Sequence, residues 1–220
     1  MGMGLGDSVR VTLFGESHGA AVGALLEGLP AGTPIDVDAL VADLERRRPG
    51  RRLLSSRSEP DDCEILSGVF EGRATGHPIL LLVHNRDVKS KDYPFLPDQP
   101  RPGHVDLPES VRTDGAADLR GGGTHSGRIT LGLVAAGALV RATLGEVTVK
   151  AHCSAIGSVE ADFGGDSDSE ASQVLNCDDG DAAESMMIEV KRLRKAGDSI
   201  GSSVEAKIEG LPLGLGEPWF

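Results

Sequence analysis

Four short stretches of this chain hold residues able to move protons or bind anions. In FGESHGA (14–20) an apolar run ends in Gly-Glu-Ser-His-Gly, which places Ser17 and His18 on a tight loop. Histidine changes charge near neutral pH and so suits proton transfer; a turn histidine with no role is the other reading of that pentad. In QPRPGHVD (99–106) two prolines stiffen the backbone around Arg101, and Gly103 lets it turn before His104. A rigid loop holding an ionic group and a proton carrier suits a site, and a Pro-rich surface turn has the same composition.

The third stretch, RGGGTHSGRIT (120–130), sets three glycines before a helix start, with Ser126 as its N-cap and Arg128 in the first turn. Backbone N–H groups there suit an anion. A cation in a first turn opposes the helix dipole unless a negative ligand lies between. The stretch has no Gly-Lys-Ser/Thr, so it is not a nucleotide P-loop. The fourth, DLERRRPGRRLLSSR (43–57), gathers six arginines around Pro49-Gly50 in a chain of net charge -12. Arg46, Arg47 and Arg48 complement a helix C-terminus. Arg51, Arg52 and Arg57 lie past the turn, where guanidinium forks suit phosphate and carboxylate. Asp43, Glu45, Glu59, Asp61 and Asp62 are close enough in sequence to neutralise part of the cluster. A three-histidine zinc site from His18, His104 and His125 is disfavoured, because no metal-ligand spacing is present and the arginines repel a dication. The expectation is no metal.

The elements that must position these residues follow from periodicity. SVRVTLFG (8–15) alternates and predicts a strand, followed by a second apolar run from Ala21. Asp36 predicts an N-cap for a helix through 37–48, with Val37, Leu40, Val41 and Leu44 on one face and Pro49-Gly50 as its stop. CEILSGVFEG and HPILLLVHN predict a strand pair turning at Thr75-Gly76. Residues 86–120 read as irregular. ITLGLVAAGALVRATLG predicts a helix buried on all sides. EVTVKAHCSAIG predicts a strand, AESMMIEVKRLRKAGD an amphipathic helix stopped by Gly197, and SIGSSVEAKIEGLPLGLG a last strand and turn. No clean linker interrupts the chain, which reads as one α+β domain over 1–220 with mixed or antiparallel sheets.

Composition narrows the function classes. The chain has 220 residues, with 3% aromatics and a pI near 4.9. Stacking platforms for single-stranded nucleic acid need exposed rings, and nucleic-acid or membrane-surface binding needs positive charge. Nucleic acid and membrane are therefore not expected partners, and an RNA module built on the arginines is disfavoured. Residues 151–190 contain ten Asp or Glu and no Lys or Arg. The segment 159–184 within it predicts an acidic surface loop or insertion. Three cysteines without a C-x-x-C pair suggest reduced thiols. No apolar run reaches the roughly 18 residues of a membrane span, and the N-terminus lacks the pattern of a secretory signal. The expected location is cytoplasmic.

GESHGAAVGALLEGLPAG, LERRRPG, RPGHVD, GGGTHSGRITLGLVAAGAL and GDSIGSSVEAKIEGLPLGLGEPWF occur in this order. Together they resemble the chorismate synthase family from about Ser8 to Phe220. The resemblance implies a β-α-β sandwich with helices between sheets, C-terminally truncated here, because the family continues beyond GLGEPWF into a second half with an Arg-His-Asp-Pro motif. It implies conversion of 5-enolpyruvylshikimate 3-phosphate to chorismate by anti-1,4-elimination of phosphate, the last common step of aromatic amino-acid biosynthesis. Reduced FMN is the implied cofactor, with NADPH for flavin reduction in members that perform it, and the full-length form is expected to be a homotetramer.

Roles transfer by motif. His18 matches the histidine that protonates departing phosphate, and His104 the one beside the flavin. Ser17, Arg48, Arg57, Arg101 and Arg128 match substrate contacts. Arg47 and Arg52 resemble nicotinamide-cofactor positions, and Thr124, His125 and Ser126 occupy the segment that lines FMN. The family's Arg-Ser-Ser-Ala-Arg segment reads Thr-His-Ser-Gly-Arg here, which alters the charge beside the flavin. A truncated, non-catalytic anion-binding relative of the same fold is the alternative.

Overall fold

The computed structural model describes residues 3–48, 60–86 and 90–215. They form an α+β protein with antiparallel sheets, divided into two compact units. The first takes the described residues up to Thr143 and the second runs from Leu144. The sequence, lacking a linker, reads as one domain.

The first unit is built on a five-stranded antiparallel sheet of β1 (Gly4–Leu5), β2 (Arg10–Gly15), β3 (Ala21–Glu27), β4 (Cys63–Ile65) and β7 (Ile79–His84), in spatial order β1-β2-β3-β7-β4. A two-stranded hairpin, β5 (Val69–Phe70) with β6 (Arg73–Ala74), lies between β4 and β7 in sequence. The predicted strand pair is therefore β4 with β7, Cys63 opposite Val83 and Ile65 opposite Leu81. Its connection carries an extra hairpin that the apolar pattern did not separate. Alternation selects the buried face: Leu26 pairs with Ile79, Ala24 with Leu81 and Val22 with Val83, all fully buried.

Helix α1 (Val37–Arg47) starts where Asp36 accepts a hydrogen bond from the Ala39 N–H at 2.9 Å. It buries Leu40 and Leu44 but leaves Val37 and Val41 exposed, so its apolar face is narrower than the spacing predicts. Helix α3 (Thr130–Val140) packs on β3 and on α1. It buries Leu131, Ala135, Ala136, Ala138 and Leu139 yet leaves Leu133 39% exposed, which corrects the expectation of burial on all sides. The stretch 86–120, read as irregular, contains helix α2 (Asp106–Arg112). Pro108 sits in its first turn, where a missing N–H costs nothing, and this hid the helix from pattern reading.

The second unit pairs β8 (Thr148–Ile156) with β9 (Val159–Glu160) and β10 (Ser202–Glu209), in order β10-β8-β9, and adds α4 (Glu170–Leu175) and α5 (Gly180–Ala196). The acidic window is a correction. Segment 159–184 contains β9, α4 and the start of α5, and Ala171, Ser172, Cys177, Ala182 and Ala183 are buried in or beside the unit's core. The residues this segment adds to that core are small and most of its acids are exposed, so a composition dominated by Asp, Ser and Gly conceals it. Gly197, at φ +69°, ends α5 as expected. Among the described residues no helix is long and apolar enough to cross a membrane.

Candidate active site

All the described site residues lie in the first unit. Strand β2 ends at Gly15, and the chain turns through Glu16–Ala20 before β3. One side chain that sequence reasoning missed, Asn85, fastens this turn. Its amide donates to the Glu16 and Gly19 carbonyls at 3.0 and 2.9 Å, and its backbone N–H donates to the Ala20 carbonyl at 3.0 Å. Ser17, 2% exposed, donates its backbone N–H to the Gly123 carbonyl at 3.1 Å. The His18 loop is thereby tied to the glycine run.

The glycine run is itself a requirement of geometry. Gly121, Gly122 and Gly123 have φ of +58°, +88° and +55°, conformations side chains disfavour. A Cβ at Gly121 would lie 2.6 Å from His18 Nε2 and 2.9 Å from Ser17 Oγ. A Cβ at Gly122 would lie 3.8 Å from His104 Nε2. Consecutive glycines thus lie against the two imidazoles, which the chain separates by 86 positions. Tyr93 ties the loops further: its ring stands edge-on to His18 at 5.0 Å, and the Arg101 guanidinium lies 5.3 Å from its centroid.

Arg101 and His104 meet on Asp106, the first residue of α2, which is fully buried. Arg101 donates to it from Nε at 2.7 Å, from Nη2 at 2.8 Å and from its backbone N–H at 3.0 Å. His104 Nδ1 lies 2.7 Å from Asp106 Oδ1. The Arg101 fork holds the Asp106 carboxyl well below the usual carboxylate range, against the opposing effect of burial. Arg128, 6% exposed, donates from Nη1 to Asp61 Oδ1 at 2.8 Å and from Nε to Asn85 Oδ1 at 2.5 Å. Arg47 reaches the other Asp61 oxygen at 3.3 Å. Asp61 therefore joins the arginine cluster of the α1 end to the glycine-run helix, and Asn85 joins Arg128 to the His18 loop.

The remaining expected positions fall out differently. Arg48 caps α1 and is half-buried. Ser126 accepts from the Arg128 N–H at 3.3 Å as the predicted N-cap. Thr124 is half-buried in the same segment. His125 is exposed, with Nε2 3.1 Å from Glu109 Oε2, and Glu109 also takes a bidentate bond from Arg112. Arg52 and Arg57 lie outside the described residues. Of the residues missed, Asp106 had a signal in the His-x-Asp spacing of GHVD, whereas Asn85 and Tyr93 had none. Among the described residues no group of His, Cys, Asp and Glu is placed to hold a metal ion.

The buried carboxylates give a pH prediction. Arg112, aided by His125, pulls Glu109 down to about 2 from an ordinary 4.5. For Glu109 and Asp106 the folded value lies below the unfolded one. The unfolded chain therefore binds more protons in this range, and stability is lost as pH falls from about 4.5 through about 2. Thermal unfolding of Glu109→Gln between these limits is expected to show a shallower pH dependence than wild type. Parallel curves would contradict it.

The fold and site define an α+β protein in which two imidazoles, the buried Arg128 and the partly buried Arg101 stand around a glycine-rich turn, residue types suited to proton transfer beside an anion. The family model for chorismate synthase matches residues 9–220, and the chain belongs to that family. It is 45% identical over 216 residues to the chorismate synthase of Thermococcus kodakarensis, covering 97% of this chain and 61% of that protein. It is 46% identical over 221 residues to that of Syntrophobacter fumaroxidans, covering 100% of this chain and 62% of that protein. A crystal structure of chorismate synthase superposes with a TM-score of 0.72 at 26% identity, covering 96% of this chain and 60% of that one. The chain thus spans about three-fifths of the length of the relatives it matches.

Proposed function

We propose that this chain supplies the phosphate-releasing part of a chorismate synthase site, which converts 5-enolpyruvylshikimate 3-phosphate to chorismate by anti-1,4-elimination. The observation that supports it most is the approach of His18 and His104 to adjacent glycines of one run. The substrate carries one phosphate and two carboxylates, and Arg48, Arg101 and Arg128, with Arg57, are the cations assigned to them. His18 donates a proton to the departing phosphate. Ser17, held beside it by the Gly123 carbonyl, contacts the substrate. Withdrawal from water strengthens these contacts as negative charge moves onto the leaving oxygen.

The segment after the glycine run offers a cofactor polar side chains within reach of solvent: Thr124 and Ser126 are half-buried and His125 is exposed. Reduced FMN, when bound, supplies electron density to the allylic system while the C–O bond breaks, with no net redox change. His104 holds a proton beside it. Arg47, with Arg52, is assigned to NADPH where the flavin is reduced in place. The reading includes a homotetramer for the full-length form and a cytoplasmic location.

Anaerobic incubation with reduced FMN and 5-enolpyruvylshikimate 3-phosphate tests the reading. Flavin-dependent phosphate release is expected, and His18→Asn is expected to lower kcat by about 100-fold or more. If the phosphorylated substrate binds and FMN does not, the chain is instead an anion-binding relative.

A further inference from the structure

We propose that Asp106 is a positioning residue that fixes the tautomer of His104, leaving Nε2 as the one ring atom that exchanges a proton. The role of His104 in catalysis rests on the function proposed above; the tautomer does not. The argument is a count of donors and acceptors. Asp106 is fully buried and accepts the Arg101 backbone N–H and Nε–H on Oδ2, and Arg101 Nη2–H on Oδ1. With Arg101 holding its proton affinity down, the carboxyl is ionised throughout the neutral range and accepts only. His104 Nδ1 lies 2.7 Å from Oδ1 and 3.2 Å from Arg101 Nη2. A bare Nδ1 lone pair would face a carboxylate oxygen at the shorter of these distances. The proton therefore sits on Nδ1, donated to Asp106, and Nε2 is the basic atom in the neutral ring.

The opposite edge of the ring faces Gly122, which offers backbone only: a Cβ there would lie 3.6 Å from Cε1 and 3.8 Å from Nε2. Among the described residues, the charged groups in contact with His104 are Arg101 from its own loop and Asp106 from α2, while Tyr93 faces Arg101 and His18. Protonation of Nε2 adds a positive charge beside Arg101, and the carboxylate offsets it. Arg101, assigned above to substrate, is also oriented by Asp106, so one buried carboxylate aligns both groups.

Asp106→Asn keeps the shape and makes a directional prediction. The asparagine oxygen is best placed at the Oδ2 position, where two Arg101 donors converge. Its NH2 then occupies the Oδ1 position and donates to His104 Nδ1, which must give up its proton. The variant is expected to switch His104 to the Nε2–H tautomer.

The test is ring 15N NMR on the whole chain, with His104→Gln assigning the His104 signals. A wild-type His104 in the Nδ1–H form that converts to Nε2–H in Asp106→Asn supports the proposal. A wild-type His104 in the Nε2–H form overturns it without reference to any variant, which covers the case of a variant that does not fold. An unchanged tautomer in a folded variant also overturns it. Where turnover is measurable, Asp106→Asn is expected to lower kcat about 100-fold with FMN affinity retained. Absence of turnover in wild type would count against the proposed function alone, since the tautomer is read independently of activity.

Discussion

Arg128→Met is expected to destabilise the first unit by about 3 kcal/mol, the scale of removing one partner from a buried ion pair. Both side chains of the Arg128–Asp61 pair are almost completely buried, at 4% and 1% exposure. Among the described residues, loss of the guanidinium leaves Arg47 as the cation on the Asp61 carboxylate, through a longer contact of 3.3 Å, and removes the Arg128 Nε donor from the Asn85 oxygen. Because Asn85 also fastens the His18 loop, the effect reaches the site, and phosphate affinity is expected to fall with stability. The check is a double-mutant cycle in urea. Asp61→Asn suits it because residue 61 has φ +51°, a conformation asparagine tolerates. With no buried charge left alone, the double variant is expected to be more stable than Arg128→Met by more than about 1 kcal/mol. Simple additivity of the two single losses would show that the pair is not coupled.

The other large effect concerns how closely α3 approaches its sheet. A Cβ at Gly132 would lie 2.6 Å from the Gly23 carbonyl oxygen and 2.9 Å from Leu13 Cδ2. The Gly23 carbonyl belongs to the central strand β3, whose own position 23 admits no side chain, since a Cβ there would lie 2.0 Å from the Leu81 carbonyl. The strand cannot recede, so the helix must lift. Gly132→Val is expected to cost about 3 kcal/mol through overpacking, beyond any gain from replacing a helical glycine. Gly137, in the same helix, has nothing within 4 Å of its Cβ direction. Gly137→Ala is expected to stabilise by up to about 1 kcal/mol. Opposite signs in chemical denaturation are the expected result, and equal effects would mean that helix propensity alone governs both positions.

The helices and strands were legible wherever periodicity and caps coincided. Asp36 with its apolar spacing located α1, and Gly197 located the end of α5, because both signals act within one turn of the chain. Local signals also misled. Helix α2 was hidden by Pro108, and the acidic window by charges that mask Ala171, Cys177, Ala182 and Ala183. The extra hairpin β5–β6 was lost because a turn at Glu71-Gly72 looks like any other pair of polar and small residues. The candidate site was legible as residue types: His18, His104, Arg101 and Arg128 are the residues on which the loops centre. Their partners were less so. Asp61 appears in sequence only as one of several acids near the arginines, and Asn85 as the unremarked end of an apolar strand.

The chain by itself determined which groups carry charge and protons, and which loops hold them, because prolines, glycines and caps act on their neighbours. Tertiary structure alone decided that Gly121 lies under His18 and Gly122 beside His104, that Asp61 bridges Arg47 and Arg128, and that Asp106 aligns Arg101 with His104. Such pairings depend on distances of a few ångströms between segments tens of residues apart. Sheet register and the approach of α3 to β3 set those distances, and no local pattern encodes them.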